Sequence, residues 1–414
     1  MIQKKLATFL TIVPMIAGLS FASTTSSFAD ESISEALLGG KFLVDVRVRY
    51  EFVDQDGISE DANAKTARAR LGYETGSFYG ISALAEIDGT THFGGEEFNS
   101  KENGKTHYPV VADPDSFRLN RANLKYTGIP DTVLKAGRQR IILDDARFVG
   151  NLGYRQNEQT FDSIRITNTS IEGLKANYVY MWRVNGILGS EATLGDWDSD
   201  SHFFDVTYSG FKYANITGFG HWLDFEDAKE GSSLATYGVR LNGKAPITDG
   251  VTALYAGTYA YQEDNAENTA DVDNSFYSVM GGVSWNGFTG KVGYDVFEGD
   301  GTDAFQTPLA TAHKFQGFAD VFLTTPADGL EDVYLSLSYK SKPFSIFKKG
   351  ITGTIAYHEF DAEDSSVDMG SEFDAVVAVP LYDNFKVVGK YADYDGDGFA
   401  ADRQKFMLGL NFKL

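Results

Sequence analysis

The sequence predicts an all-β fold, a transmembrane antiparallel up-and-down β-barrel of eighteen strands, and three observations carry that prediction. In the last nine residues Phe406, Leu408, Leu410, Phe412 and Leu414 alternate with Met407, Gly409, Asn411 and Lys413, the pattern of a strand with one face in lipid. The same two-residue period recurs along the chain, behind an N-terminal export signal. Beyond that signal no apolar run is long enough for a membrane helix.

The export signal has three parts: Lys4 and Lys5, an apolar stretch over 6–21, and a polar segment closing on Ser27-Phe28-Ala29. Cleavage is expected after Ala29, which makes 1–29 a signal peptide and 30–414 one barrel in the bacterial outer membrane. A cut near Ala22, or an uncleaved anchor, are the alternatives. No Pro/Ser-rich linker or change of composition divides residues 30–414, so a single large barrel fits better than a chain of soluble domains. The 43 glycines, 22 tyrosines and 31 phenylalanines suit strands with aromatic girdles at the two membrane interfaces.

In order, strands are expected at 42–52, 65–75, 79–88, 117–126, 132–141, 161–168 and 174–184, then at 201–208, 214–225, 234–241, 251–261, 275–285 and 288–297. The last five are 331–339, 351–360, 372–379, 385–394 and 403–414. With both ends in the periplasm, the tight turns at 76–77, 128–131, 170–173, 286–287 and 382–384 fall on that side. The long acidic segments 89–116, 142–160, 185–200, 262–274 and 361–371 then lie outside. Residues 314–324 also look strand-like, but a nineteenth strand would invert every later loop. They are assigned to an external loop, 298–330, that folds inward, as does 142–160. A sixteen-stranded barrel follows if two weak segments belong to loops.

Lysine and arginine total 36 against 58 acidic residues, a formal charge of −22. Generic nucleic-acid binding is therefore not expected. Zero cysteines exclude a disulfide framework and thiolate metal sites. Of the fourteen arginines, twelve lie between Arg47 and Arg183, so the acidic total conceals a basic stripe on one side of the lumen. Clean alternation places Arg47 and Arg49 inward with Asp45 and Glu51, opposite Val44, Val46, Val48, Tyr50 and Phe52. Arg68, Arg70 and Arg165 point inward by the same logic. So do Lys175, Asn177 and Arg183, opposite Tyr178, Tyr180 and Trp182. The fourth and fifth strands have no clear phase. Arg121, Lys125, Arg138 and Arg140 are placed inward there because an arginine facing lipid costs about 2–4 kcal/mol at the midplane.

Between the fifth and sixth strands, AGRQRIILDDARFVGNLGYRQNEQTFDSIR over 136–165 is rich in Arg, Asp, Asn and Gln. An inward fold would narrow the pore and bring Arg147, Arg155, Gln156, Asn157 and Glu158 to the solute, with Asp144 and Asp145 setting the local field. Guanidinium groups stay charged and pair with carboxylates in a bidentate way, so the stripe suits anions. The alternative is that these arginines pair with Asp45, Glu51, Glu86 and Asp88 and simply hold the wall.

GRQRIILDDARFVGNLGYRQNEQTFD at 137–162 resembles the signature region of the alginate export family of outer-membrane channels. Further echoes are RVRYEFVDQDG near the start, GFADVFLTTPADGLEDVYLS at 317–336, YHEFDAEDSSVDMGSEFD at 357–374 and KYADYDGDGF near the end. The resemblance implies an eighteen-stranded monomeric barrel whose arginine-rich pore passes anionic solutes, with uronate polymers the best-known cargo. The terminal Leu414 departs from the terminal Phe usual in such barrels.

Other chemistry is less well supported. The histidines His92, His107, His202, His221, His313 and His358 sit mostly in loops or at strand ends, with no nucleophile elbow and no HExxH. No catalytic residue, metal or cofactor is expected. Asp393-Tyr394-Asp395-Gly396-Asp397-Gly398 matches the first half of a calcium loop, but Gln404 occupies the place of the bidentate glutamate. The expected partners are outer-membrane lipid, lipopolysaccharide and small anionic or saccharide solutes, with the chain a monomer. A plugged adhesive barrel and a non-selective porin are the competing readings.

Overall fold

The structure, a computed structural model, describes residues 32–192 and 195–414. The expected signal peptide lies outside the described residues. A short helix, α1 (Ile33–Leu38), starts at Ser32, whose Oγ accepts the Glu35 N–H at 3.1 Å. It leads into eighteen strands. The first six are β1 (Lys41–Gln55), β2 (Ala62–Glu74), β3 (Ile81–His92), β4 (Ser116–Tyr126), β5 (Thr132–Gln139) and β6 (Thr160–Asn168). The next six are β7 (Leu174–Asn185), β8 (Asp196–Tyr208), β9 (Ala214–Trp222), β10 (Leu234–Thr248), β11 (Val251–Asp264) and β12 (Asp273–Trp285). The last six are β13 (Phe288–Phe297), β14 (Leu330–Lys340), β15 (Thr352–Asp361), β16 (Asp368–Pro380), β17 (Phe385–Asp395) and β18 (Arg403–Lys413).

Each strand pairs antiparallel with its neighbours in the chain, and β1 closes on β18 from Asp45↔Lys413 to Gln55↔Arg403. Closure satisfies every edge, which hydrocarbon requires. All eighteen expected strands are present, and the sixteen-strand alternative falls. Residues 314–324 form no strand, so the β13–β14 loop runs from 298 to 329. At one of the two-residue turns Asn286 and Gly287 both have positive φ, 47° and 87°. That geometry joins β12 to β13 in two residues because its twist matches the strands it links.

Alternation sorts the faces as expected. On β14, Val333, Leu335, Leu337 and Tyr339 are exposed, while Asp332 is buried inside the barrel. On β18 Phe406, Leu408 and Leu410 are exposed. These side chains form the lipid-facing belt.

The lumen holds something periodicity did not foreshadow. Near the outer ends of the strands inward side chains build two large apolar clusters, besides a small one of Val53, Ala62, Ala64, Phe98 and Val111. One contains Phe276, Phe297, Phe305, Phe322, Leu330, Phe360 and Tyr394. The other contains Ile141, Leu143, Val149, Phe161, Met181, Val184, Phe203, Phe225 and Leu309. Phe148 packs against both, with its ring centroid 4.9 Å from that of Phe219 and 5.9 Å from that of Phe276. Both clusters take side chains from the inward loops, so the outer half of the barrel carries a dry core.

Candidate functional site

Two loops, residues 140–159 and 298–329, leave the wall and meet inside the barrel. They are joined edge to edge by a parallel bridge between Val149 and Leu309, where the Gly150 N–H donates to the Leu309 carbonyl at 2.8 Å. The Thr311 N–H donates to the Ala146 carbonyl at 3.0 Å, and Lys314 Nζ to the Asp145 carbonyl at 2.7 Å. Tyr154 stacks on His313 with centroids 3.8 Å apart and planes 6° from parallel. The result is a septum across the lumen.

Wall arginines hold one side of it. Arg47 donates to the carbonyls of Gly153, Tyr154 and Arg155 at 2.9–3.1 Å, and its Nε to Asn411 Oδ1 at 2.9 Å. Arg49 donates to the Tyr154 carbonyl and pairs with Asp113 at 3.2 Å. Arg68 pairs with Asp45, while Arg70 reaches Asp88 at 3.3 Å, Glu158 at 3.1 Å and the Gln156 carbonyl at 3.2 Å. Arg118, Arg121 and Lys125 complete the row on β4. They pair with Asp88 at 3.1 Å, Glu86 at 2.6 Å and Glu74 at 3.2 Å.

Loop residues reply in kind. Arg155 is buried and pairs with Glu51 at 3.1 Å, Asp320 at 3.4 Å and Asp113 at 3.7 Å. Gln156 donates to Thr66 Oγ1 at 2.9 Å, and Asn157 to the Ile187 carbonyl at 2.8 Å. Arg140 forks onto Glu158, which also accepts from Asn120 and Asn151 at 2.7 Å. Burial alone would raise the Glu158 carboxyl, but Arg70 and the Arg140 fork hold it well below the ordinary carboxylate range. Arg147 pairs with Asp295 and lies 3.8 Å from the centroid of the Phe315 ring.

On the far wall, the Ala319 N–H donates to Glu372 Oε1 at 2.7 Å and Arg403 Nη1 to the Ala319 carbonyl at 2.9 Å. Gly317 suits this contact, because its φ of 78° is strained for other residues and a Cβ there would meet the buried Glu372 carboxylate. Lys405 pairs with Asp320.

The structure corrects four expectations. Arg155, Gln156, Asn157 and Glu158 do not face open lumen; they are buried among wall residues and fasten the septum. Arg138 faces outward, because register sets it beside Ala122 and Asp162 on the face that carries Leu124, Ala136 and Ile164. There its Nε and Nη2 fork onto Asp162 at 2.8 and 3.0 Å, a pairing that lowers the cost of an arginine on that face. Arg183 is not in line with Lys175 and Asn177. A register shift between Met181 and Arg183 turns Val184 into the core, and Arg183 pairs at the outer rim with Asp198 at 2.8 Å. Finally, most of the stripe is spent on carboxylates and loop carbonyls and not left free.

What faces open space is different. Beneath the septum lies a cavity of about 380 Å³ lined by Asp144, Asp145, Arg147 and Phe148 from the loop, with Arg240, Lys291 and Asp205 among the wall residues. Arg240 pairs with Asp145 and, at 3.0 Å, with Asp144. An adjoining cleft is lined by Arg165, Lys175, Asn177, Thr207, Asn215, Thr217 and Asn242, with Asp144 and Asp205 at its edge toward the cavity. Arg165 donates to Asn177 Oδ1 at 2.9 Å. Register places Lys125, Lys135 and Arg165 side by side across β4, β5 and β6. Among the described residues Lys135, Arg165, Lys175 and Lys291 have no carboxylate at ion-pairing distance. Lys135, Lys291, Arg118, Arg240 and Arg403 were missing from the expected set. Lys135 was legible from the apolar Leu134 and Ala136 on either side of it.

A pH dependence of the septum is expected from His313. Its Nδ1 lies 2.6 Å from Asp320 Oδ1, its Nε2 accepts from Lys390 Nζ at 2.7 Å, and Phe318 stacks at 5.0 Å. Burial, reinforced by Lys390 and Lys405 against Asp320, pushes the imidazole down to about 3. A released loop would return it to about 6.5. The released state therefore binds the proton more readily, and the septum loses stability as pH falls from about 6.5 toward 3, at up to about 1.4 kcal/mol per pH unit. Open-channel noise in a planar bilayer should rise between about pH 7 and about pH 4. His313→Gln should remove most of that rise, which separates it from Asp144, a carboxyl raised by burial that also titrates in acid.

No family model matches the chain, and no curated protein matches it. Solved structures do. OccAB4 of Acinetobacter baumannii is similar with a TM-score of 0.70 at 15% identity, over 91% of this chain and 98% of that one. OccK9 (OpdG) of Pseudomonas aeruginosa gives 0.70 at 16%, over 92% and 100%. OccD3 (OpdP) of the same organism gives 0.68 at 13%, over 95% and 100%. The fold is that of the Occ/Opd porins of the bacterial outer membrane.

Proposed function

We propose that this chain is an outer-membrane channel through which small acidic, hydroxylated solutes diffuse, uronates and related sugar acids being the class that fits best. One observation carries the reading: the row Lys125, Lys135 and Arg165, in which only Lys125 has a carboxylate partner. Like charges directly opposite one another destabilise a sheet, so an anion lying across the row relieves a cost the empty wall bears. The neighbouring Asn177, Thr207, Asn215, Thr217 and Asn242 offer neutral donors and acceptors suited to hydroxyl groups.

Transport in this reading involves no chemical step, metal or cofactor. The cations lower the barrier to an anion, and sites in open lumen hold it weakly enough to let it leave. The resemblance to the alginate export family supports the same cargo class, and the chain is proposed to act as a monomer. A second reading, a barrel plugged by its septum, is favoured by the dry core in the outer half of the lumen.

Swelling of proteoliposomes in isosmotic galacturonate or galactose tests both. Faster swelling in galacturonate is expected. Equal rates would point to a non-selective porin, and no swelling in either sugar to the plugged barrel.

A further inference from the structure

The periplasmic turn between β14 and β15 lines neither the cavity nor the cleft. The flanking turns on that side are two and four residues long, 286–287 and 381–384, whereas this one spans 341–351. Its sequence, SKPFSIFKKGI, has three lysines and no acid. Phe344 and Ile346 are 49% and 57% exposed at its tip. The tip is nonetheless ordered: Phe344 and Phe347 exchange backbone hydrogen bonds of 3.2 and 2.9 Å, and their rings sit 5.1 Å apart. Lys342 and Lys348 have no acidic partner among the described residues. Lys349 meets Asp383 at 3.1 Å, with both side chains more than half exposed, so that pair is weak.

The turn also grows from a membrane interface. Tyr339 at its root, with Trp285 and Phe288 at the same end of the neighbouring strands, is exposed on the outer face of the barrel, the position of an aromatic girdle. Apolar tips beside unpaired lysines, next to such a girdle, complement anionic headgroups above an acyl layer. Each lysine near an anionic surface favours it by about fivefold.

We propose that this turn is a lipid anchor, inserting Phe344 and Ile346 into the periplasmic leaflet while Lys342, Lys348 and Lys349 bind anionic phospholipid headgroups. The inference is independent of what the channel passes.

The chain has zero cysteines, so Ser345→Cys carries a single polarity-sensitive fluorophore. The full protein would be reconstituted in phosphatidylcholine vesicles with or without phosphatidylglycerol. A blue-shifted emission is expected with phosphatidylglycerol, reversed by high salt and lost in the triple variant Lys342→Gln/Lys348→Gln/Lys349→Gln and in Phe344→Ser/Ile346→Ser. Emission that ignores lipid charge would overturn the headgroup site. Water-like emission in both vesicles would overturn insertion and leave the turn to a soluble periplasmic partner.

Discussion

Arg155→Ala will release the septum. The guanidinium it removes is buried and faces Glu51, Asp113 and Asp320 together, and removing one partner of a buried ion pair typically costs about 3–5 kcal/mol. Here the loss falls where the loops are joined, because Asp320 also holds His313 and Lys405. The carbonyls of Tyr154 and Arg155, which accept from Arg47 and Arg49, then lose the side chain that fixes their backbone. The barrel wall has its own closed ladder and should survive. The expected result is a several-fold rise in single-channel conductance with frequent open–closed flicker, together with a lower unfolding midpoint in denaturant. Arg155→Lys keeps the charge but not the fork, and should fall between the two. Unchanged conductance in the alanine variant would mean that the septum does not limit passage.

The second large effect concerns selectivity. In Lys135→Gln/Arg165→Gln the two unpaired cations of the cross-strand row are replaced by neutral amides, which removes the charged hydrogen bonds but keeps a polar donor at each position. Hydrogen bonds to a charged group are worth about 1.5–3 kcal/mol each, so block by galacturonate should weaken by about tenfold or more for each cation lost. Galactose should be unaffected. Arg138→Ala is the matching control. This arginine sits on the outer face against Asp162, and its loss should leave ion preference unchanged while destabilising the rim of the barrel. A selectivity change in Arg138→Ala would mean that Arg138 turns toward the lumen.

The contrast between Arg138 and Lys135 shows where sequence reasoning succeeds. All eighteen strands were legible because period-two alternation is local, and wherever it is clean, as in β1, β14 and β18, it orients each side chain. On β5 it is not clean, and the expense of an arginine in lipid was used instead. A facing aspartate on β6 removes most of that expense, and no local pattern reports it. Arg183 failed for a related reason: a register shift reverses the phase partway along β7. Neither the pairing of Arg47 with Asn411 nor that of Arg155 with Asp320 is visible in sequence, since each joins residues more than a hundred positions apart. An inward fold of 142–160 and 298–330 was expected from composition. The loops' interlock, and the phenylalanine core they share with the strand ends, were not, because Phe148, Phe305 and Phe322 sit in irregular segments with no period to read.

The most direct measurement is the reversal potential of the refolded protein in a planar bilayer under a salt gradient. The unpaired lumenal cations call for a potential on the anion-selective side, moving toward zero in Lys135→Gln/Arg165→Gln. A cation-selective potential in the unaltered protein would contradict the proposed role of those residues, whatever the solute.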